Sequence, residues 1–421
     1  LPFVEPPTQL GNSLDIALAS FSRLEKLLAL NNNLADKYRD FMREYESLGH
    51  MSRIGPVEND NSFRVFIPHH PVFRDQSQTT KLRVVFNASR PTSTKVSIND
   101  CLHVGPELQN DISSILLRWC QHRYVLCADI AHMFRQIYVH PADRKFQCIL
   151  WRETPDEPVQ IFELNTVTYG MTCSPYLAIR VIRQLVADKK ADYPLAAAVF
   201  ANDTYVDDLF VCGIEKPSTL VLRDQLIQLA SSGGFRSRKW FSNCSDLLSG
   251  LDESEHGLAM EIPFDDSYSG FKVLGILWNR SDDAFRFHTS ELVNENATKR
   301  SLLSTVVRLY DPMGWLAPAT IIAKILLQEL WLRKLEWDQP LPLDLAQEWH
   351  EFCSKLPALS SISIPRWTSQ GADTQSIQIH GFSDASRLAY AAAVYLRIVS
   401  ESGQIFVKLL IAKTKVTQIK T

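Results

Sequence analysis

The chain has 421 residues, too many for one ordinary domain, and 45% of them are hydrophobic, enough to build more than one core. Its net charge of −3 gives no global basic signal, which leaves a nucleic-acid partner only a locally positive cleft to bind. No uninterrupted apolar stretch reaches the roughly 18 residues of a membrane span, and the longest, Ile321 to Leu332, is broken by Lys324, Gln328 and Glu329, so a helical membrane protein is excluded.

The eight cysteines form no C-x-x-C pair, so neither a zinc knuckle nor a disulfide framework is expected, and the setting reads as reducing and intracellular. The sequence begins Leu1-Pro2-Phe3 and closes in Lys-rich text after Ala412; both ends read as cuts through a larger protein.

In chain order, Leu14, Leu18, Phe21, Leu24 and Leu28 make one apolar stripe at helical spacing, broken at Asn31-Asn32-Asn33. A second helix is expected from Ala35 to Leu48. Strands follow at Phe63 to Ile67, Leu82 to Phe86 and Tyr124 to Cys127, separated by Pro68, Pro71 and Pro91. Cys173 to Leu185 suits a helix. Ala197 to Phe200 and Tyr205 to Cys212 suit two strands joined at Asn202-Asp203, and Leu220 to Ala230 suits a helix closed by Gly233-Gly234. Phe271 to Trp278 is β-rich. Residues 290–355 read as mainly helical, interrupted at Pro312-Met313-Gly314. Strands return at Ile377 to His380, Tyr390 to Leu396 and Ile405 to Ile411.

Aspartate pairs occur at Asp207-Asp208, Asp265-Asp266 and Asp282-Asp283, and only the first is flanked by apolar strand text, Tyr205-Val206 and Leu209-Phe210-Val211. Charges there are costly to bury unless a divalent cation pairs with them. The other two pairs read as solvated turns. A second apolar strand also ends in a carboxylate, at Asp129. Phosphoryl transfer by two metals needs carboxylates converging from separate strands, one cation activating the attacking hydroxyl and the other stabilising the leaving group. Equally, Asp129 could cap a following helix, and sequence alone leaves both readings open.

The runs Asp129-Ile130-Ala131-His132-Met133-Phe134 and Tyr205-Val206-Asp207-Asp208, with Tyr169 to Pro175 between them, resemble reverse transcriptases. The finer resemblance is to polyproteins of BEL/Pao retrotransposons, through KLRVVFNAS (Lys81 to Ser89), GFRSRKWFSN (Gly234 to Asn243), FKVLGILWN (Phe271 to Asn279), Asp311-Pro312-Met313-Gly314 and GFSDAS (Gly381 to Ser386). It covers nearly the whole chain.

The resemblance implies an α+β right-hand polymerase with fingers, a palm built on an antiparallel sheet and a thumb, then a helical connection and a partial RNase H-like segment. The corresponding spans are 1–58 for a helical lead-in, 59–285 for fingers and palm, 286–372 for thumb and connection, and 373–421 for the RNase H-like piece. It implies RNA-directed DNA synthesis on an RNA or DNA template-primer from deoxynucleoside triphosphates. Mg2+ or Mn2+ would be held by Asp129, Ile130, Asp207 and Asp208.

Arg83, assisted by Lys81, would grip the triphosphate, Phe134 would exclude a ribose 2′-hydroxyl, and Tyr169 and Gly170 would contact the nucleotide. Lys239 would be a general acid, Leu274 and Gly275 the primer grip, and Asp384 a vestigial RNase H ligand, since the only later acid is Glu401. Residue by residue, plainer readings also stand: a solvated strand-end Lys81, a core Phe134, a turn at Gly170, a backbone-contacting basic face at Lys239 and a simple β-turn at Leu274-Gly275. Asn87, Ala131 and His132 depart from the family pattern of Asp, Glu and Lys. The alternative is a degenerate or co-opted polymerase fold that binds nucleic acid without catalysis. The family setting implies cytoplasmic retroelement particles and neighbouring protease and integrase regions.

Overall fold

The computed structural model describes residues 1–4, 7–60, 62–73, 82–252, 256, 262–263, 269–289 and 297–418. Lys81 and the Asp265-Asp266 pair lie outside the described residues. The first apolar stripe becomes the helix Leu14–Ala29, with Phe21, Leu24 and Leu28 buried. Asn31 does more than end it: its side chain accepts the Leu34 N–H at 3.0 Å and caps the next helix, which therefore starts at Asn32 rather than Ala35 and runs to Ser47.

The chain divides into two compact units. One comprises Leu1–Gln109, Ile130–Ala201 and Ile227–Arg236. It holds both N-terminal helices, a three-stranded antiparallel sheet (Met51–Pro56, Gln160–Leu164, Cys148–Trp151) and the strand pair His69–Phe73 with Leu82–Phe86. Their apolar faces close over one core that includes Tyr38, Met42, Tyr45, Phe86, Trp151 and Phe162. Within it, His69 bonds Tyr38 through Nδ1 and the Leu150 carbonyl through Nε2 at 2.9 Å. Burial pushes its pKa down to about 4, so the ring is neutral and structural.

The other unit comprises Asn110–Asp129, Asn202–Leu226 and Ser237–Thr421. Its central sheet has four strands in the order Thr204–Tyr205, Asp208–Gly213, Tyr124–Ile130, Ser237–Ser242. A core of Trp119, Phe210, Trp278, Phe285 and Trp315 joins this sheet to the helix Ile112–Gln121 and to the strands Ile276–Asn279 and Ala284–Arg286. The helices Lys299–Arg308, Ala317–Leu332 and Leu343–Lys355 share a further core around Leu326, Leu330 and Trp349. The last three strands, Thr374–Ala385, Ala389–Ser400 and Ile405–Val416, form an antiparallel sheet. Among the described residues no helix is long and apolar enough to cross a membrane.

The Asp311-Pro312-Met313-Gly314 interruption is a structural joint. Asp311 accepts the N–H groups of Trp315 (3.0 Å) and Leu316 (2.6 Å), satisfying donors at the start of the helix Ala317–Leu332. The Ala412 N–H donates to the Met313 carbonyl at 2.8 Å, tying the joint to the last strand. Gly314 has φ +72°, and a Cβ there would lie 1.8 Å from the Ala412 carbonyl oxygen. Gly314→Ala is therefore expected to lower stability by about 2 kcal/mol or more, read as a fall in urea midpoint, because backbone must move to admit the methyl.

Four sequence expectations change. Phe63 to Ile67 is not a strand but a single bridge from Phe66 to Cys148. Val65 and Ile67 bond Cys148 on one side, while the Phe66 N–H on the other is taken by Ser13 Oγ at 2.8 Å. Ala197 to Phe200 is not a strand but part of the helix Pro194–Asn202, where a leading proline and a run of alanines favour helix over the β-rich ends. The hairpin partner of Asp208–Gly213 is instead Thr204–Tyr205. Pro71 lies inside the strand His69–Phe73 rather than separating strands. Asp283 is no solvated turn residue: it pairs with the buried Arg366 at 2.7 Å.

Candidate active site

Asp129 and Asp208 stand directly opposite each other in the antiparallel pairing of Tyr124–Ile130 with Asp208–Gly213. Cross-strand partners have Cβ atoms only about 4.5–5.5 Å apart. Thr204–Tyr205 pairs with the same strand, Tyr205 facing Asp208, so Val206 and Asp207 form a two-residue turn. Val206 takes φ +55° while Asp207 does not take a positive φ, the pattern of a II′ turn, whose first position favours glycine. A β-branched residue there is strained by about 1–3 kcal/mol. His132, Lys239 and Leu274 also hold positive φ without being glycine.

The electrostatics match an acidic cluster. Burial, with the charges of Asp207 and then Asp129, pushes the Asp208 carboxyl up to about 7, and Lys239 opposes this. Lys239 Nζ donates to Asp129 Oδ2 at 2.9 Å, and Arg238 Nε stands 3.7 Å from Oδ1. Asp129 Oδ1 is buried and accepts no hydrogen bond. Asp129 caps no helix: the short 3-10 turn that follows begins at Met133, with His132 as its cap residue.

Among the described residues no group of three or more His, Cys, Asp or Glu side chains is poised to hold a metal by itself. The pair Asp129 and Asp208 still fits a hard divalent cation, because Mg2+ usually takes one or two carboxylates and completes its shell with water and phosphates. The orphaned Oδ1 is the available oxygen.

The remaining candidates are placed as follows. Arg83 is exposed on the strand Leu82–Phe86. Phe134 is half-buried on the turn Met133–Gln136, and Ile130, the last residue of its strand, is buried. Tyr169 Oη donates to the Val84 carbonyl at 2.7 Å. Gly170 has φ +101°, and a Cβ there would meet the Phe86 carbonyl oxygen at 2.4 Å, so a side chain is excluded. These five lie in the first unit, and the three aspartates with Lys239 lie in the second. Leu274 and Gly275, both at positive φ (47° and 85°), form the turn between Ser269–Val273 and Ile276–Asn279, also in the second unit. Asp384 is exposed on the strand Thr374–Ala385.

Residues 298–421 match the family model described as the Pao retrotransposon-like RNaseH-like domain. A solved foamy viral protease-reverse transcriptase dRH in complex with double-stranded DNA aligns over 88% of this chain and 54% of its own, with TM-score 0.53 and 14% identity. The foamy viral protease-reverse transcriptase in complex with an RNA/DNA hybrid aligns over 92% and 43%, with TM-score 0.55 and 14% identity. The chain shares its fold with these solved reverse transcriptases, and its residues 298–421 are similar to a Pao-type RNaseH-like domain. It spans about half the length of those solved chains, and no curated protein sequence matches it. The RNaseH-like match starts at residue 298, so it takes in the three helices expected as thumb and connection as well as the final sheet.

In this reverse-transcriptase fold one supporting residue escaped the sequence reading. Asn99 Oδ1 accepts the Thr172 N–H at 2.9 Å, and its Nδ2 donates to the Gly170 carbonyl at 3.0 Å, clamping the loop that carries Tyr169. A lone asparagine in Ser97-Ile98-Asn99-Asp100 carries no signal that could have found it.

Proposed function

We propose that this chain is an RNA-directed DNA polymerase of a retrotransposon, extending a primer 3′-hydroxyl on an RNA or DNA template from deoxynucleoside triphosphates. The observation that carries the reading is the facing of Asp129 and Asp208 across two strands, beside a strained Tyr205-Val206-Asp207-Asp208 turn.

Asp129 and Asp208, with Asp207 and the Ile130 carbonyl, would hold Mg2+ or Mn2+, which would supply Lewis-acid activation and charge neutralisation at the reacting phosphate. Arg83 offers a guanidinium fork to triphosphate oxygens from an exposed strand position. Phe134 blocks a 2′-hydroxyl, and Gly170 keeps its loop free of a side chain where the nucleotide or template passes. Lys239 holds one Asp129 oxygen and carries a proton at Nζ that the leaving pyrophosphate can accept. Leu274 and Gly275 hold the primer end from a tight turn.

The test is primer extension on poly(rA)/oligo(dT) with Mg2+ or Mn2+. Wild-type protein should incorporate dTTP, and Asp129→Asn should lose roughly 10³-fold or more of that rate. Duplex binding without any incorporation would favour a co-opted fold that binds nucleic acid without catalysis.

A further inference from the structure

Arg135 follows Phe134 on the turn Met133–Gln136, and its surroundings are not those of a solvated surface arginine. Its guanidinium carbon lies 4.8 Å from the Tyr45 ring centroid, 5.3 Å from Phe41 and 5.9 Å from Tyr169. Tyr45 and Phe41 come from the helix Asn32–Ser47, with ring centroids 5.4 Å apart. Tyr169 comes from the loop before Gly170. Two elements distant in sequence thus meet on a cation supplied by a third, and all lie within the first unit.

Tyr169 carries the link onward. Its hydroxyl donates to the Val84 carbonyl at 2.7 Å, and its ring packs 5.3 Å from Phe86. Val84 follows Arg83 on the strand Leu82–Phe86, and Phe86 supplies the carbonyl that forbids a side chain at Gly170. Burial raises the Tyr169 phenol, and the charges of Arg135 and, less strongly, Arg83 act against it.

Resting on the polymerase reading above, we infer that Arg135 is a positioning residue for the incoming nucleotide. Its guanidinium fixes the spacing between the backbone that presents Phe134, the Tyr169–Gly170 loop and the strand that presents Arg83. A planar guanidinium can lie flat against a ring, whereas a lysine ammonium keeps the charge and loses the plane.

The experiment compares dTTP and UTP incorporation on poly(rA)/oligo(dT) by wild type, Arg135→Ala and Arg135→Lys, with duplex affinity measured alongside. Arg135→Ala should raise KM for dTTP and lower the dTTP-over-UTP preference, each by roughly 10-fold, with duplex affinity unchanged. Arg135→Lys should fall between wild type and Arg135→Ala, and it decides the matter if Arg135→Ala does not fold. Unchanged KM and preference in an active Arg135→Lys or Arg135→Ala protein, with only thermal stability reduced, would overturn the inference and leave the polymerase reading standing. A wild-type protein that incorporates neither nucleotide would remove both.

Discussion

Asp208→Asn is expected to abolish nucleotide incorporation and, at pH 8, to raise thermal stability. Both effects have one source. The Asp208 carboxyl sits at about 7 because it is buried and faces the charges of Asp207 and Asp129. Its folded pKa is therefore raised above the unfolded value near 4, so between about pH 4 and pH 7 the native state holds a proton that the unfolded chain has released. Stability must fall as pH rises through that window, by on the order of a few kcal/mol, and the full penalty applies above it.

Asparagine keeps the shape and removes the charge. The variant should match wild type at pH 4 and melt higher at pH 8, with a flatter profile between. Addition of Mg2+ at pH 8 should raise the wild-type melting temperature, because a ligand bound only by the native state stabilises it, and should do much less for the variant. Incorporation should drop by roughly 10³-fold. A variant that keeps its polymerase rate, or that melts below wild type at pH 8, would show that Asp208 is an ordinary structural carboxylate.

The candidate carboxylates were legible because each breaks an apolar strand, where a bound cation would offset the cost of burying charge. The helix Leu14–Ala29 and the later strands were legible because burial on one face leaves a period in the text. The short strands Met51–Pro56, Cys148–Trp151 and Gln160–Leu164 passed unnoticed, since the sheet they form joins segments as distant as Met51 and Leu164 rather than following a local pattern. Ala197 to Phe200 misled for the opposite reason: a short apolar run fits either element, and the alanines with Pro194 decide for helix. Site residues read from chemistry alone reached Asp129, Asp207 and Asp208. The roles proposed for Arg83, Phe134, Tyr169 and Gly170 needed the family resemblance, because an exposed arginine or a turn glycine has no signature of its own. Arg135 and Asn99 were invisible, since their partners are supplied by folding.

Asp283 was read as solvent-facing because it sits in polar text, and it supplies the second large prediction. Its two carboxylate oxygens accept from Arg366 Nε and Nη2, each at 2.7 Å, and also from Trp278 Nε1 and Asn243 Nδ2. Arg366 is 1% exposed. Its other donors reach the carbonyls of Trp119, His122 and Arg123, at the end of the helix Ile112–Gln121 and the entry to the strand that carries Asp129. Asp283→Ala strands a buried charge, which should cost about 3–5 kcal/mol. Arg366→Met should cost at least as much, because it orphans three carbonyls at about 1–3 kcal/mol each. Since both residues serve one network, the double variant should be close to Arg366→Met alone rather than to the sum of the two. Urea unfolding followed by circular dichroism reads all three values. Because the network anchors the base of the Asp129 strand, incorporation by Asp283→Ala should fall further than its folded fraction does. An Asp283→Ala protein that unfolds at the wild-type urea midpoint would reduce the contact to a surface pair and detach it from the site.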